Sequence, residues 1–152
     1  MIKEENISKL INGKLSGSDK FLVSVKVNPG NRIVVYIDSD TSVTIDDCAG
    51  LSRFIESQYD REAEDYELEV SSAGLSHPLI LQRQYKKNIG RKVKTVLKNG
   101  TVRKGIIKNV SDNDFELLEE NTVKEKNKKI IVENIVSIAF SDVKETKLII
   151  NL

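Results

Sequence analysis

Apolar positions in the first part of the chain recur at two different spacings. Ile2, Asn6, Ile7, Leu10, Ile11 and Leu15 form a mostly apolar stripe at helical spacing, which predicts a helix ended by Gly13 or Gly17. Residues 21–27, Phe-Leu-Val-Ser-Val-Lys-Val, are rich in branched side chains and predict a strand. Asn28-Pro29-Gly30-Asn31 predicts a turn, because proline fixes φ and glycine accepts a positive one. Residues 32–38 supply the returning strand. Thr44 with Asp47 three residues on is a variant of the capping box. Ile45, Cys48, Leu51, Phe54, Ile55 and Tyr59 then resume helical spacing. Tyr66, Leu68 and Val70 alternate with Glu67 and Glu69, the pattern of a strand with one wet face. The order αββαβ predicts a three-stranded sheet with two helices on one face.

Beyond residue 90 helical spacing disappears. Residues 91–97 and 101–110 alternate about Asn99-Gly100, a strong two-residue hairpin signal. Asp112-Asn113-Asp114 turns into a strand over 115–118. A polar loop is expected over 119–129, a strand over 130–132, one helical turn at Glu133-Asn134, and a last strand over 135–140. Five short strands in about fifty residues suit a small closed barrel of SH3 or Sm type. The predicted fold class is therefore α+β, an αββαβ domain followed by a small β-barrel.

Charge sharpens this division. The 152 residues carry a formal net charge of +1, but residues 1–87 hold 11 basic and 14 acidic side chains, whereas 88–152 hold 13 and 9. The shift coincides with the polar stretch 82–90, read as a linker, so the domains are expected at 1–85 and 86–152. Near-zero net charge excludes a strongly basic DNA-coating protein and an acidic tail protein. No apolar run approaches the length of a membrane span, and the first residues lack the pattern of a signal peptide. Cys48 is a single cysteine, so no intramolecular disulfide forms, and a reduced cytoplasmic protein is expected.

Chemistry is sparse. One histidine, His77, and one cysteine cannot assemble the usual zinc site. Cys48 lies on an apolar stripe and reads as a core thiol rather than a nucleophile. No glycine pair has dinucleotide-loop spacing, and after Gly100 and Gly105 Ile106 and Ile107 replace the Lys and Ser/Thr of a phosphate loop. Asp46-Asp47 fits a first helical turn, where negative charge is favourable, better than a metal site. No cofactor is expected. Two features remain open. Residues 68–79 end a strand in small residues, a glycine and a proline turn, which suits either close approach by a partner or a tight interdomain turn. Arg91, Lys92, Lys94, Lys98, Arg103, Lys104 and Lys108 form a basic set, with Lys92 and Lys94 on one strand face. It suits RNA phosphates or solvated edges guarded by lysine.

The segment Leu68-Glu69-Val70-Ser71-Ser72-Ala73-Gly74-Leu75-Ser76-His77-Pro78-Leu79 resembles the signature of the bacterial ribosome maturation factor RimP family, departing from it at Ala73, Ser76 and His77. Residues 44–53 resemble that family's second-helix start through Asp47, Cys48, Ser52 and Arg53, and Ile89-Gly90-Arg91-Lys92-Val93 resembles the entry to its C-terminal barrel. The resemblance implies a non-enzymatic factor that binds the immature small ribosomal subunit, rRNA and protein together, and assists its maturation. It implies a contact with small-subunit ribosomal protein twelve through the barrel, and a monomer. Site residues expected on this reading are Arg53, Ser71, Ser72, Gly74, His77, Arg83, Lys92, Lys94 and Lys104. The competing readings are a free-standing Sm-like RNA chaperone or translational regulator, and a metal-dependent hydrolase using Asp46 and Asp47.

Overall fold

Helix α1 spans Glu4–Leu15, with Glu4 and Glu5 in its first turn and Lys14 in its last, each complementing the helix dipole. Gly13 lies within the helix, and Gly17 follows it at φ 81°. Strands β1 (Lys20–Asn28) and β2 (Arg32–Ser39) pair antiparallel about Gly30 and Asn31, both at positive φ. Helix α2 spans Ile45–Gln58 and opens with a complete capping box. The Asp47 N–H donates to Thr44 Oγ1 at 3.1 Å and the Thr44 N–H donates to Asp47 Oδ2 at 2.9 Å. Strand β3 (Glu67–Ser72) then joins β2 in parallel, Ile33 beside Leu68 and Val35 beside Val70. The sheet order is β1-β2-β3. Ile7 and Ile11 of α1, Ile33, Val35 and Ile37 of β2, and Leu51 and Ile55 of α2 share one core, so both helices cover one face, as the spacing predicts. The computed structural model describes residues 2–74 and 77–149.

The chain divides into two units, Met1–Gly74 and Leu75–Leu152. The second contains helix α3 (Gln82–Lys87) and strands β4 (Lys92–Leu97), β5 (Val102–Val110), β6 (Asp114–Glu125), β7 (Lys128–Ala139) and β8 (Val143–Leu148), with a 3-10 turn at Phe140–Asp142. The strands form one antiparallel sheet in the order β7-β6-β5-β4-β8. Leu79, Tyr85, Val93, Ile107, Phe115, Leu117 and Ile138 form its core. Tyr85 sits 4.8 Å from Phe115 and 5.0 Å from Phe140, ring centre to ring centre.

Four sequence expectations change here. The stretch read as a linker is α3, and its Tyr85 belongs to the second core. The fully buried Gln84 fixes its entry, its Oε1 accepting the N–H groups of Ile80 and Leu81. The expected polar loop 119–129 is the continuation of β6 and the start of β7, turning at Lys126-Asn127. Glu133-Asn134 is not a helical turn but mid-strand, facing Glu120 and Glu119. The fifth strand is β8, which the alternation did not mark because its buried inward position is Thr146, bonded to Thr95 at 3.1 Å. Strands β7 and β8 are the two edges of the sheet, and no ladder joins them among the described residues. The observed architecture is an α+β chain ending in an antiparallel five-stranded sheet, without the ladder that would close the expected barrel.

Candidate functional site

The signature segment begins on β3. Ser71 and Ser72 lie beside Tyr36 and Ile37 of β2. The Ala73 N–H donates to Ile37 O at 2.8 Å and Ala73 is buried, so this amide is not open to a partner. Gly74 follows at φ 53°, while an added Cβ would meet its nearest neighbour at an ordinary 3.7 Å. Conformation rather than space therefore favours glycine there. Leu75 and the departure at Ser76 lie outside the described residues. Beyond them His77 Nδ1 lies 3.0 Å from Pro78 O, and the Leu79 N–H donates to Thr146 O at 2.8 Å. Ser71 is half-buried, its hydroxyl donating to Glu69 Oε1, and Ser72 is exposed. Arg53 is exposed on α2 and Arg83 is exposed on α3.

Lys92, Lys94 and Lys104 come together. Lys94 stands directly opposite Lys104 on β5, and Lys92 lies two residues earlier on the same face of β4. The other neighbour of Lys94 is Lys147 of β8. Lys104, Lys94 and Lys147 thus form a row across three strands, all exposed. Directly opposite side chains start about 5 Å apart, a separation at which like charges oppose pairing. Glu145 offsets part of this charge, lying 3.4 Å from Lys147. Beside the row lies a hollow of about 230 Å³ lined by Lys92, Lys104, Gly105, Ile106, Leu118 and Glu120. Arg103 is removed from the patch. It faces the opposite side beside Thr95 and binds the buried Glu119 at 3.1 Å. Lys147 escaped sequence reading along with its strand, although Glu145 and Lys147 do alternate with Thr146 and Leu148.

Of the two carboxylates of the metal-site alternative, Asp47 has other work. Asp47 caps α2, and its pKa is held down first by the Thr44 backbone N–H and then by the Thr44 hydroxyl. Among the described residues no group of three His, Cys, Asp or Glu side chains could hold a metal ion. Cys48 packs half-buried against the first core, and burial, then the neighbouring Asp47 charge, raises its thiol pKa. Among the described residues no helix is long and apolar enough to cross a membrane.

Asp19 is held well below the ordinary carboxylate range. The Thr41 hydroxyl donates to it at 2.5 Å and Lys20 at 3.0 Å, and its pKa falls from 3.8 to about 2. A carboxylate depressed on folding adds stability that is whole above its unfolded pKa and is lost as pH falls through the folded one. Asp19→Asn is therefore expected to flatten the dependence of the urea midpoint on pH between about 4 and 2. An unchanged profile would show that this network contributes nothing to acid tolerance.

The RimP N-terminal domain family matches residues 10–76. A ribosome maturation factor RimP of Porphyromonas gingivalis is 44% identical over 117 residues, 77% of each chain. That of Flavobacterium psychrophilum is 36% identical over 154 residues, 99% of each chain. That of Christiangramia forsetii is 38% identical over 129 residues, 84% of each chain.

Proposed function

The chain belongs to the ribosome maturation factor RimP family, assembly factors rather than enzymes, and from that premise we propose that it binds the immature small ribosomal subunit and assists its maturation. The observation that carries the reading is the row Lys104, Lys94, Lys147 across β5, β4 and β8. Three ammonium groups in register oppose the pairing of their strands and gain when phosphates stand over them. Because net charge is +1, attraction to RNA comes from such local patches rather than from the whole molecule.

In this reading the second unit is an SH3-like domain whose sheet curls over its core, and its outer face meets rRNA. The same domain meets small-subunit ribosomal protein twelve. Arg53, Ser71, Ser72, Gly74, His77 and Arg83 add contacts from the signature region and its flanks. The protein acts as a monomer in the cytoplasm. Mechanistically, binding shifts rRNA folding only by preferring one conformation, so affinity for immature subunits must exceed that for mature ones.

The test is cosedimentation with immature and mature small subunits across a salt series. The row and its flanking residues are expected to contribute about −2 to −4 to the slope of log affinity against log salt, for a handful of phosphate contacts. Replacing Lys94, Lys104 and Lys147 together by Gln is expected to shallow it by about 2. An unchanged slope would remove the patch from the interface, and equal affinity for both subunits would remove the maturation role.

A further inference from the structure

The hairpin of β6 and β7 outruns the core. Glu119 is the last buried residue of β6, and residues 120–135 are exposed throughout. The ladder nevertheless continues from Glu120 opposite Glu133 to Glu125 opposite Lys128. At about 3.4 Å per residue, the tip stands roughly 20 Å beyond Glu119. A two-stranded ribbon without a core is marginal in water. Cross-strand pairs hold it, Val123 opposite Ile130 and Thr122 opposite Ile131. The exposed branched side chains of the ribbon therefore have a use in its own folding.

Of the lysines at its tip, only Lys128 has such a use, standing opposite Glu125. Residues 124–129, Lys-Glu-Lys-Asn-Lys-Lys, hold four lysines against one glutamate. Lys124 stands directly opposite Lys129, a like-charge pair that weakens the ladder. The two turn residues are Lys126 at φ 49° and Asn127 at φ 65°. Asparagine accepts that region readily; lysine adopts it at a cost that glycine or asparagine avoids. Lysines along the ribbon's edges also discourage strand association, but the turn lysine has no edge to guard. Lys124, Lys126 and Lys129 thus sit at a cost to stability, and all three place an ammonium group at the end of a long, narrow projection.

We propose that this tip is an RNA contact: the ribbon enters a cleft of folded RNA and sets Lys124, Lys126, Lys128 and Lys129 against phosphates. It is a second electrostatic contact, separate in the sheet from the Lys94 row. It rests on the proposed ribosomal role for one point, that the RNA is small-subunit rRNA.

Two measurements on the full-length chain test it. In the first, binding to deproteinised small-subunit rRNA is titrated with salt. Replacing the four lysines together by Gln is expected to shallow the slope by about 3, at roughly 0.7 to 0.9 for each of four phosphate contacts. In the second, Glu125→Cys in a Cys48→Ala background carries a photo-crosslinker and is mixed with immature small subunits. The crosslink is expected on rRNA. An unchanged slope, or a crosslink to ribosomal protein, overturns the proposal; the latter makes the ribbon a protein-docking element. If the native chain ignores immature subunits yet binds rRNA through these four lysines, the subunit reading fails and the tip assignment stands.

Discussion

Tyr85→Ala is expected to cost the second unit about 3–5 kcal/mol, the range for deleting a buried large aromatic. Tyr85 is 2% exposed and lies against Phe115 and Phe140, two rings that themselves stack 5.3 Å apart. Its hydroxyl meets the Thr146 side chain, so truncation also strips a partner from a buried hydroxyl. A unit of this size has a total stability of only several kcal/mol, so the variant is expected to leave it largely unfolded. The same residue decides where the chain is cut. A fragment starting at Leu75 keeps Leu79 and Tyr85 and is expected to fold. A fragment starting at Asn88, where the polar composition invites the cut, lacks both core residues and is expected to give a collapsed amide spectrum. Native dispersion from the Asn88 fragment would show that α3 is dispensable.

Gly105→Ala is expected to be the most damaging single-methyl addition in the chain. A Cβ built there lies 2.6 Å from Leu118 O and 3.0 Å from its carbonyl carbon. Both atoms belong to the backbone of the paired strand, so no side chain can rotate away and the sheet itself must spread. The expected cost is at the upper end of the 1–3 kcal/mol typical of overpacking, about 3 kcal/mol, read from the urea midpoint. Gly50→Ala is the matched control. Gly50 lies within α2, nothing stands within 4 Å of its added Cβ, and helix propensity favours alanine by up to about 1 kcal/mol. Similar losses from both variants would show that close approach at Gly105 is not what distinguishes them.

The first unit was legible because its elements obey one rule each. Ile7 and Ile11 recur at helical spacing, Ile33, Val35 and Ile37 at strand spacing, and Thr44 with Asp47 marks the start of α2. The second unit breaks the rule wherever a face is wet on both sides or polar within. Residues 120–135 are exposed on both faces of the hairpin, so burial imposed no alternation, and a ladder of backbone bonds looked like a polar loop. Thr95 and Thr146 satisfy each other inside the sheet, so β8 lacked an apolar marker. Missing β8 hid Lys147 and left the lysine row one member short. Lys92 and Lys94 were still readable as neighbours, because strand parity places them together; the β4–β5 register adds Lys104. Local pattern cannot say which hydrogen-bond groups tertiary pairing consumes, and the Ala73 N–H is the instance here.

Strand β8 is also expected to set the pace at which the second unit forms. The hairpins β4–β5, β5–β6 and β6–β7 join sequence neighbours and close short loops. The β4–β8 ladder does not: Thr95 and Thr146, bonded within it, are 51 residues apart in the chain. Bringing such distant segments together costs loop-closure entropy before any contact returns it, which makes nonlocal pairing slow. The meander can assemble early, but the Thr95–Thr146 bond waits for β8, so its docking is expected to govern the folding rate. A stretch that looks dispensable by hydropathy, Val143–Leu148, is the latch of the unit.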